Sequence, residues 1–237
     1  MFAGSSASHR PALAAPSSLG LHDLTHSNGL FIALAILTGV VIVGSAVRDR
    51  RRARRFRAHA AACGWWPLTA DQPVPGPVAS AARSRRTKLA FAAEREYPVW
   101  LVWHHWIETS GTGDSRSTKT HDLTRYFLPL GPGFQDVEVV GRTALGGFFK
   151  PVRGVGTGDP DFDKRFLVRG LGEQQAVRLL SPELRAAMLA GDVPAWQVSA
   201  RVLISSYSTP PSAETLEPRA DALIAVARML TAPTTGG

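Results

Sequence analysis

The sequence predicts an α+β protein: one amino-terminal transmembrane helix continuing into a basic cytoplasmic helix, then a domain of antiparallel strands with C-terminal helices. Three observations predict it. An uncharged run, residues 27–47, stops abruptly at a block of arginines. Residues 97–128 alternate with the period of two that marks strands. Helix start and stop signals gather after Gly172, so strands precede helices instead of alternating with them as a parallel sheet would require.

The apolar run comes first in the chain. Residues 30–47 read LFIALAILTGVVIVGSAV, and at 1.5 Å per residue about 20 helical residues cover roughly the 30 Å of a bilayer's hydrocarbon core. A cleaved signal peptide would place basic residues before the apolar core and small residues after it. Here the order is reversed. The first 29 residues hold one arginine, Arg10, whereas Arg48, Arg50, Arg51, Arg52, Arg54, Arg55 and Arg57 follow the run. Positive charge next to a span stays inside, so the expected topology in the inner (plasma) membrane is amino terminus out and everything after Val47 cytoplasmic. The expected organisation is a disordered tail at 1–28, the span at 29–47, a basic juxtamembrane helix at 48–64, a linker at 65–87, an α+β domain at 88–231 and a disordered tail at 232–237.

Charge and composition limit the function classes. The net charge of +8 suggests nucleic acid until its distribution is considered, for Arg48 to Arg57 carry a local +6 and leave +2 for the rest. Anionic lipid headgroups are therefore the expected partner of the arginines, with an unknown protein partner for the domain and no nucleic acid. One cysteine, Cys63, excludes an intrachain disulfide.

The strand and helix signals follow in order. Residues 69–86 contain Pro75, Gly76 and Pro77 and read as a linker. In 97–109, Val99, Leu101, Trp103, His105 and Ile107 alternate with Trp100, Val102, His104 and Trp106, giving a strand apolar on both faces: a central strand covered on both sides, or one whose second face meets another element. Residues 117–128 alternate again after SGTGDSRS, completing a long hairpin. Short strands are expected at 136–141 and 166–169, with an irregular stretch at 143–160. A helix is expected at 172–180, and another opens at the N-cap Ser181 and Pro182 and leaves at Gly191. Residues 196–207 read as a strand or tight hairpin, and 218–230 as an amphipathic helix with Leu223, Val226, Ala227 and Leu230 on one face.

Chemistry is sparse. His104, His105 and His121 are the weak candidates for a metal site, since histidine is the commonest metal ligand, yet adjacent residues on a strand point to opposite faces. Structural histidines are the favoured reading, with no metal or other cofactor expected. Asp159, Asp161 and Asp163 open like a calcium loop, but Lys164 stands where the turn glycine belongs and Gly170 where the bidentate Glu belongs. The expected element is an acidic turn with Phe162 and Phe166 packing inward. The glycines of GVGTGD lead into Asp159 and Pro160 without a helical run, so no phosphate cradle is expected. Trp100, Trp103 and Trp106 are a candidate interaction surface, with core packing the stronger reading.

The stretch GDPDFDKRFLVRGLGEQQAVRLLSPELRAAML, residues 158–189, resembles a bacterial, actinobacterial-type family of single-pass membrane proteins with a domain of unknown function. The resemblance covers about half the chain and extends to the membrane helix, the basic segment, the Gly-Trp exit and the Leu-Ser-Pro helix. His104, His105 and the three tryptophans have no counterpart in the pattern. The resemblance implies the architecture and no chemistry. The expectation is thus a non-catalytic, membrane-anchored interaction domain. The alternative is a membrane-tethered enzyme using His104 or His105 with His121 and the acids near Asp159.

Overall fold

A computed structural model describes residues 51–112, 115–142 and 154–232. The segment expected to span the membrane, 29–47, lies outside the described residues, as do the tail 1–28, Arg48, Arg50 and most of the irregular stretch, 143–153. Among the described residues no helix is long and apolar enough to cross a membrane. The sheet with its helices belongs to one compact unit, Arg54–Gly237.

Residues 51–62 are helical (α1). Phe56 and Ala60, four apart and so on one face, are buried, while Arg51, Arg52, Arg54, Arg55 and Arg57 are exposed. The basic helix is thus a working part of the domain's core. Gly64, at φ 76°, turns the chain into β1 (Trp65–Pro67). Arg95 donates to the Cys63 carbonyl (3.0 Å) and Phe56 meets Phe91 edge-on (5.8 Å). These two contacts fix the direction of α1: Phe56 lies toward the residue-87 end of the neighbouring strand and Cys63 toward its other end.

After β1 the chain forms α2 (Gly76–Ala82), β2 (Thr87–Glu94), β3 (Pro98–Ser110), β4 (Ser117–Pro129) and β5 (Val137–Gly141). Then come α3 (Pro160–Arg165), β6 (Phe166–Arg169), α4 (Glu173–Leu179), α5 (Pro182–Ala190), β7 (Trp196–Ser199), β8 (Val202–Tyr207) and α6 (Ala213–Thr231). The described strands form one eight-stranded sheet, ordered β1-β2-β3-β4-β8-β7-β5-β6, with every pairing antiparallel. The α+β class with an antiparallel sheet and a C-terminal helix is as expected. The larger core lies on one face, where Phe91, Leu101, Tyr126 and Leu203 meet apolar residues of α1 and α3 to α6. A smaller core on the other face joins Val78 and Ala81 of α2 to Val102, Phe127 and Ile204.

Three boundaries differ from expectation. The presumed linker, 65–87, contains β1 and α2, because Trp65 and Val78 supply enough buried surface to dock short elements that propensity alone would not hold. The presumed acidic turn is the helix α3, capped by Asp159, whose carboxylate accepts from the Phe162 amide (3.1 Å). The last helix starts at Ala213 rather than Pro218, which sits inside it. Ser212 and Thr215 form the actual amino-terminal box, and Pro218 withholds only one early amide. Other signals held: Ser181 caps α5, and Gly191 leaves it at φ 89°.

The β7–β8 hairpin turns on Ala200 (φ 48°) and Arg201 (φ 64°), two non-glycine residues in left-handed conformation. The Ala200 amide donates to Asp136 (2.8 Å), and the Leu130 amide donates to the Arg201 carbonyl (2.8 Å), so neighbouring segments hold the turn in place. A residue with a Cβ costs about 1–2 kcal/mol there, and a two-residue hairpin prefers glycine at the second position. Arg201→Gly is therefore expected to raise stability by about 1 kcal/mol, measured as a higher urea midpoint at unchanged slope.

Candidate functional site

β3 and β4 are longer than their neighbours. β2 pairs with β3 only as far as Thr87↔His104, and β8 pairs with β4 only as far as Thr124↔Tyr207. Beyond that level the hairpin continues as a two-stranded arm to Ser110↔Ser117, about six residues or ~20 Å. Residues 107–110 and 117–120 are exposed, Ile107 at 61%. The alternation that made this strand look central on both faces holds only up to His104. The root of the arm carries all three histidines and two of the tryptophans singled out from the sequence.

On the α6 face, Trp103 donates its indole N–H to Asp122 Oδ1 (2.9 Å), and His105 Nδ1 donates to the same oxygen (3.0 Å). One carboxylate thereby orients an indole and an imidazole, directly across the strand pair His105↔Asp122. This fixes the ring of His105 with Nε2 left over. No hydroxyl or thiol nucleophile is hydrogen-bonded to it among the described residues.

On the α2 face, His104 is 6% exposed. Its Nδ1 lies 3.5 Å from Thr87 Oγ1, which itself donates to the Ala81 carbonyl (2.7 Å). Burial, then the neighbouring guanidinium groups of Arg125 and Arg86, hold the His104 imidazole below its usual range. Arg125, half-buried on the same face, has its own pKa lowered by burial. One row further out, His121 stacks parallel on Trp106 at 4.9 Å, with the Arg86 guanidinium 4.8 Å from the Trp106 ring centroid. His121 Nε2 lies 3.0 Å from Glu108.

Because its folded pKa is depressed, His104 stays neutral in the folded protein while the unfolded chain binds a proton. Stability is then lost as pH falls from about 6.5. His104→Gln is expected to flatten that decline, read as the shift in urea midpoint between pH 7 and pH 5.

The histidines do not converge. His104 and His121 share one face a row apart, while His105 points to the other, and no cluster of three metal-binding side chains occurs among the described residues. The tryptophans are likewise divided. Trp100 packs beside the α2 core and Trp106 follows on that face, whereas Trp103 belongs to the α6 face. A single surface made of all three is thus corrected by the alternation of the strand itself.

The aspartates act structurally. Asp159 caps α3, and Asp163 accepts from the amide (3.0 Å) and hydroxyl (2.9 Å) of Thr157. Arg185 donates to the Thr157 carbonyl (3.1 Å). A helical run does follow the GVGTGD glycines, contrary to expectation, but its Phe162 amide donates to the Asp159 carboxylate, which would repel a phosphate. A cleft of about 480 Å³ lined by Asp161, Lys164, Arg165 and Leu189 includes no histidine.

Taken together, the geometry is that of an antiparallel α+β domain presenting a two-stranded arm, with a cationic and aromatic root. No protein-family model matches the chain, and no curated protein matches it.

Proposed function

We propose that this is a single-pass inner-membrane protein with its amino terminus outside, whose cytoplasmic α+β domain is a non-catalytic module for protein or membrane-surface interaction. The observation that carries the reading is α1. Five arginines project from it into solvent, while Phe56 and Ala60 bind it to the core, immediately after an apolar run of membrane-spanning length. A flexible topogenic tail would need no such docking. Held on a rigid helix, the arginines are arranged to meet anionic headgroups. The arm supports the interaction role, since a ribbon exposed on both faces and along its backbone edges offers pairing groups to a partner strand.

The topology is tested with cysteine labelling in the Cys63→Ser background. Thr118→Cys should react with a membrane-impermeant maleimide only after the cells are opened, and Ser8→Cys should react in intact cells. Labelling of Thr118→Cys in intact cells would overturn the orientation, and release of the protein by alkaline carbonate would overturn the anchor. The interaction role is tested by cross-linking the full-length protein in intact membranes and identifying what is captured. Capture of neither protein nor lipid, where a control complex is captured, would count against it.

A further inference from the structure

The basic character of the domain is not confined to α1. A second run, Arg83, Arg85, Arg86 and Lys88, all exposed, follows α2 and enters β2. It is 26 residues or more from the last arginine of the first run in sequence, yet the fold brings the two to one end of the sheet. Two independent facts place it there. The second run leads directly into Thr87, which pairs with His104 at the root of the arm. The contacts Phe56–Phe91 and Cys63–Arg95 show α1 running along β2 in the same direction, so Arg54 and Arg55, just before Phe56, lie on its Thr87 side. Arg116 and Lys119, exposed on the arm, add to it.

Among the described residues, cations outnumber carboxylates at this end. The described acids on the arm are Asp122, engaged by Trp103 and His105, and Glu108, beside His121. At the opposite end of the sheet the charges are mixed: Glu96 pairs with Arg228, and Asp136 accepts from the Ala200 amide. The arm end therefore carries a concentrated positive field, while the far end does not. Exposed cations close together repel one another in the free protein, so a surface of this kind fits an extended anionic partner better than a single ion.

We infer that the arm end of the sheet is a membrane-docking face: Arg54, Arg55 and Arg57 of α1 and the Arg83–Lys88 run together hold the domain end-on against anionic headgroups of the leaflet. This rests on the anchored reading given above and adds to it an orientation and a second set of contacts. The bilayer is favoured over other polyanions because the chain enters the domain at this end through its own arginine helix. Docking of this kind is sensitive to anionic lipid content and to salt.

The test uses the full-length protein in lipid nanodiscs with and without anionic lipid, in the Cys63→Ser background. A fluorophore is placed at Thr118→Cys on the arm or at Gln135→Cys toward the far end, with a headgroup-attached quencher in the lipid. On anionic discs, quenching at Thr118 should exceed that at Gln135 several-fold. The difference should collapse on zwitterionic discs and in the R83Q/R85Q/R86Q/K88Q variant, whose circular dichroism is compared with wild type because all four side chains are exposed. Equal quenching of both probes, or Thr118 quenching unchanged in the variant, would overturn the docking face while leaving the anchor intact. Failure of the protein to enter discs at all would overturn the anchored reading and the docking face with it. An oligonucleotide bound at physiological salt by wild type in zwitterionic discs, and not by the variant, would reassign the run to nucleic acid.

Discussion

Trp65→Ala is expected to destabilise the domain by about 3–5 kcal/mol, the range for truncating a large buried aromatic. Trp65 is 2% exposed, meets Tyr126 edge-on at 6.3 Å and donates its indole N–H to Glu217 (2.6 Å). Glu217 also receives Arg95 at 2.5 Å. The indole thus joins the edge strand β1 to α6 through a carboxylate that Arg95, in the turn between β2 and β3, neutralises. Alanine would leave a cavity and remove one donor from Glu217. Trp65→Phe should cost less, because it restores most of the volume and loses only the hydrogen bond. Urea unfolding followed by far-ultraviolet circular dichroism measures both. A loss below about 1 kcal/mol for the alanine variant would mean that β1 is a dispensable edge.

Phe162→Ala is the second large expected loss, again about 3–5 kcal/mol. Phe162 is fully buried and stacks on Phe166 at 4.9 Å, in a helix of only six residues. So short a helix has little stability of its own and depends on that anchor and on its cap. Asp159→Ala should cost about 1 kcal/mol, as loss of an N-cap does. Such a ranking, with the ring far ahead of the carboxylate, would mark the acidic-Phe stretch as a packing motif. A larger loss from Asp159→Ala than from Phe162→Ala would contradict it.

Legibility in the sequence followed the range of the interaction involved. α5 could be read because Ser181, Pro182 and Gly191 are local signals whose geometry needs no tertiary partner. The β3–β4 hairpin could be read because alternation over 13 residues per strand is a strong signal. α2 was hidden by Pro75, Gly76 and Pro77, which suit a loop as well as a helix start and were resolved only by the burial of Val78 and Ala81 against another strand. Pro218 misplaced the start of α6 because proline fits a first turn, and the Ser212–Thr215 box upstream is a weaker pattern. For the candidate site, the histidines and tryptophans were identified as residues but not as an arrangement. The arm root depends on where β2 and β8 stop, which no local pattern specifies. Net charge misled most: +2 outside the arginine run concealed a second cationic run, because a sum carries no positions.

The order of the strands also bears on how the domain is assembled in time. β1 to β4 pair in chain order, but β4 then waits for β8, joining Thr124 to Tyr207 across the whole of β5 to β7. Trp65 finds Glu217 across 152 residues. Closing such long intervals before any reward is gained slows folding, as in other proteins dominated by non-local pairings. During synthesis the first four strands would therefore stand with the edge of β4 open until β8 has been made. In that interval the nascent chain is at its most vulnerable to strand-pairing with its neighbours.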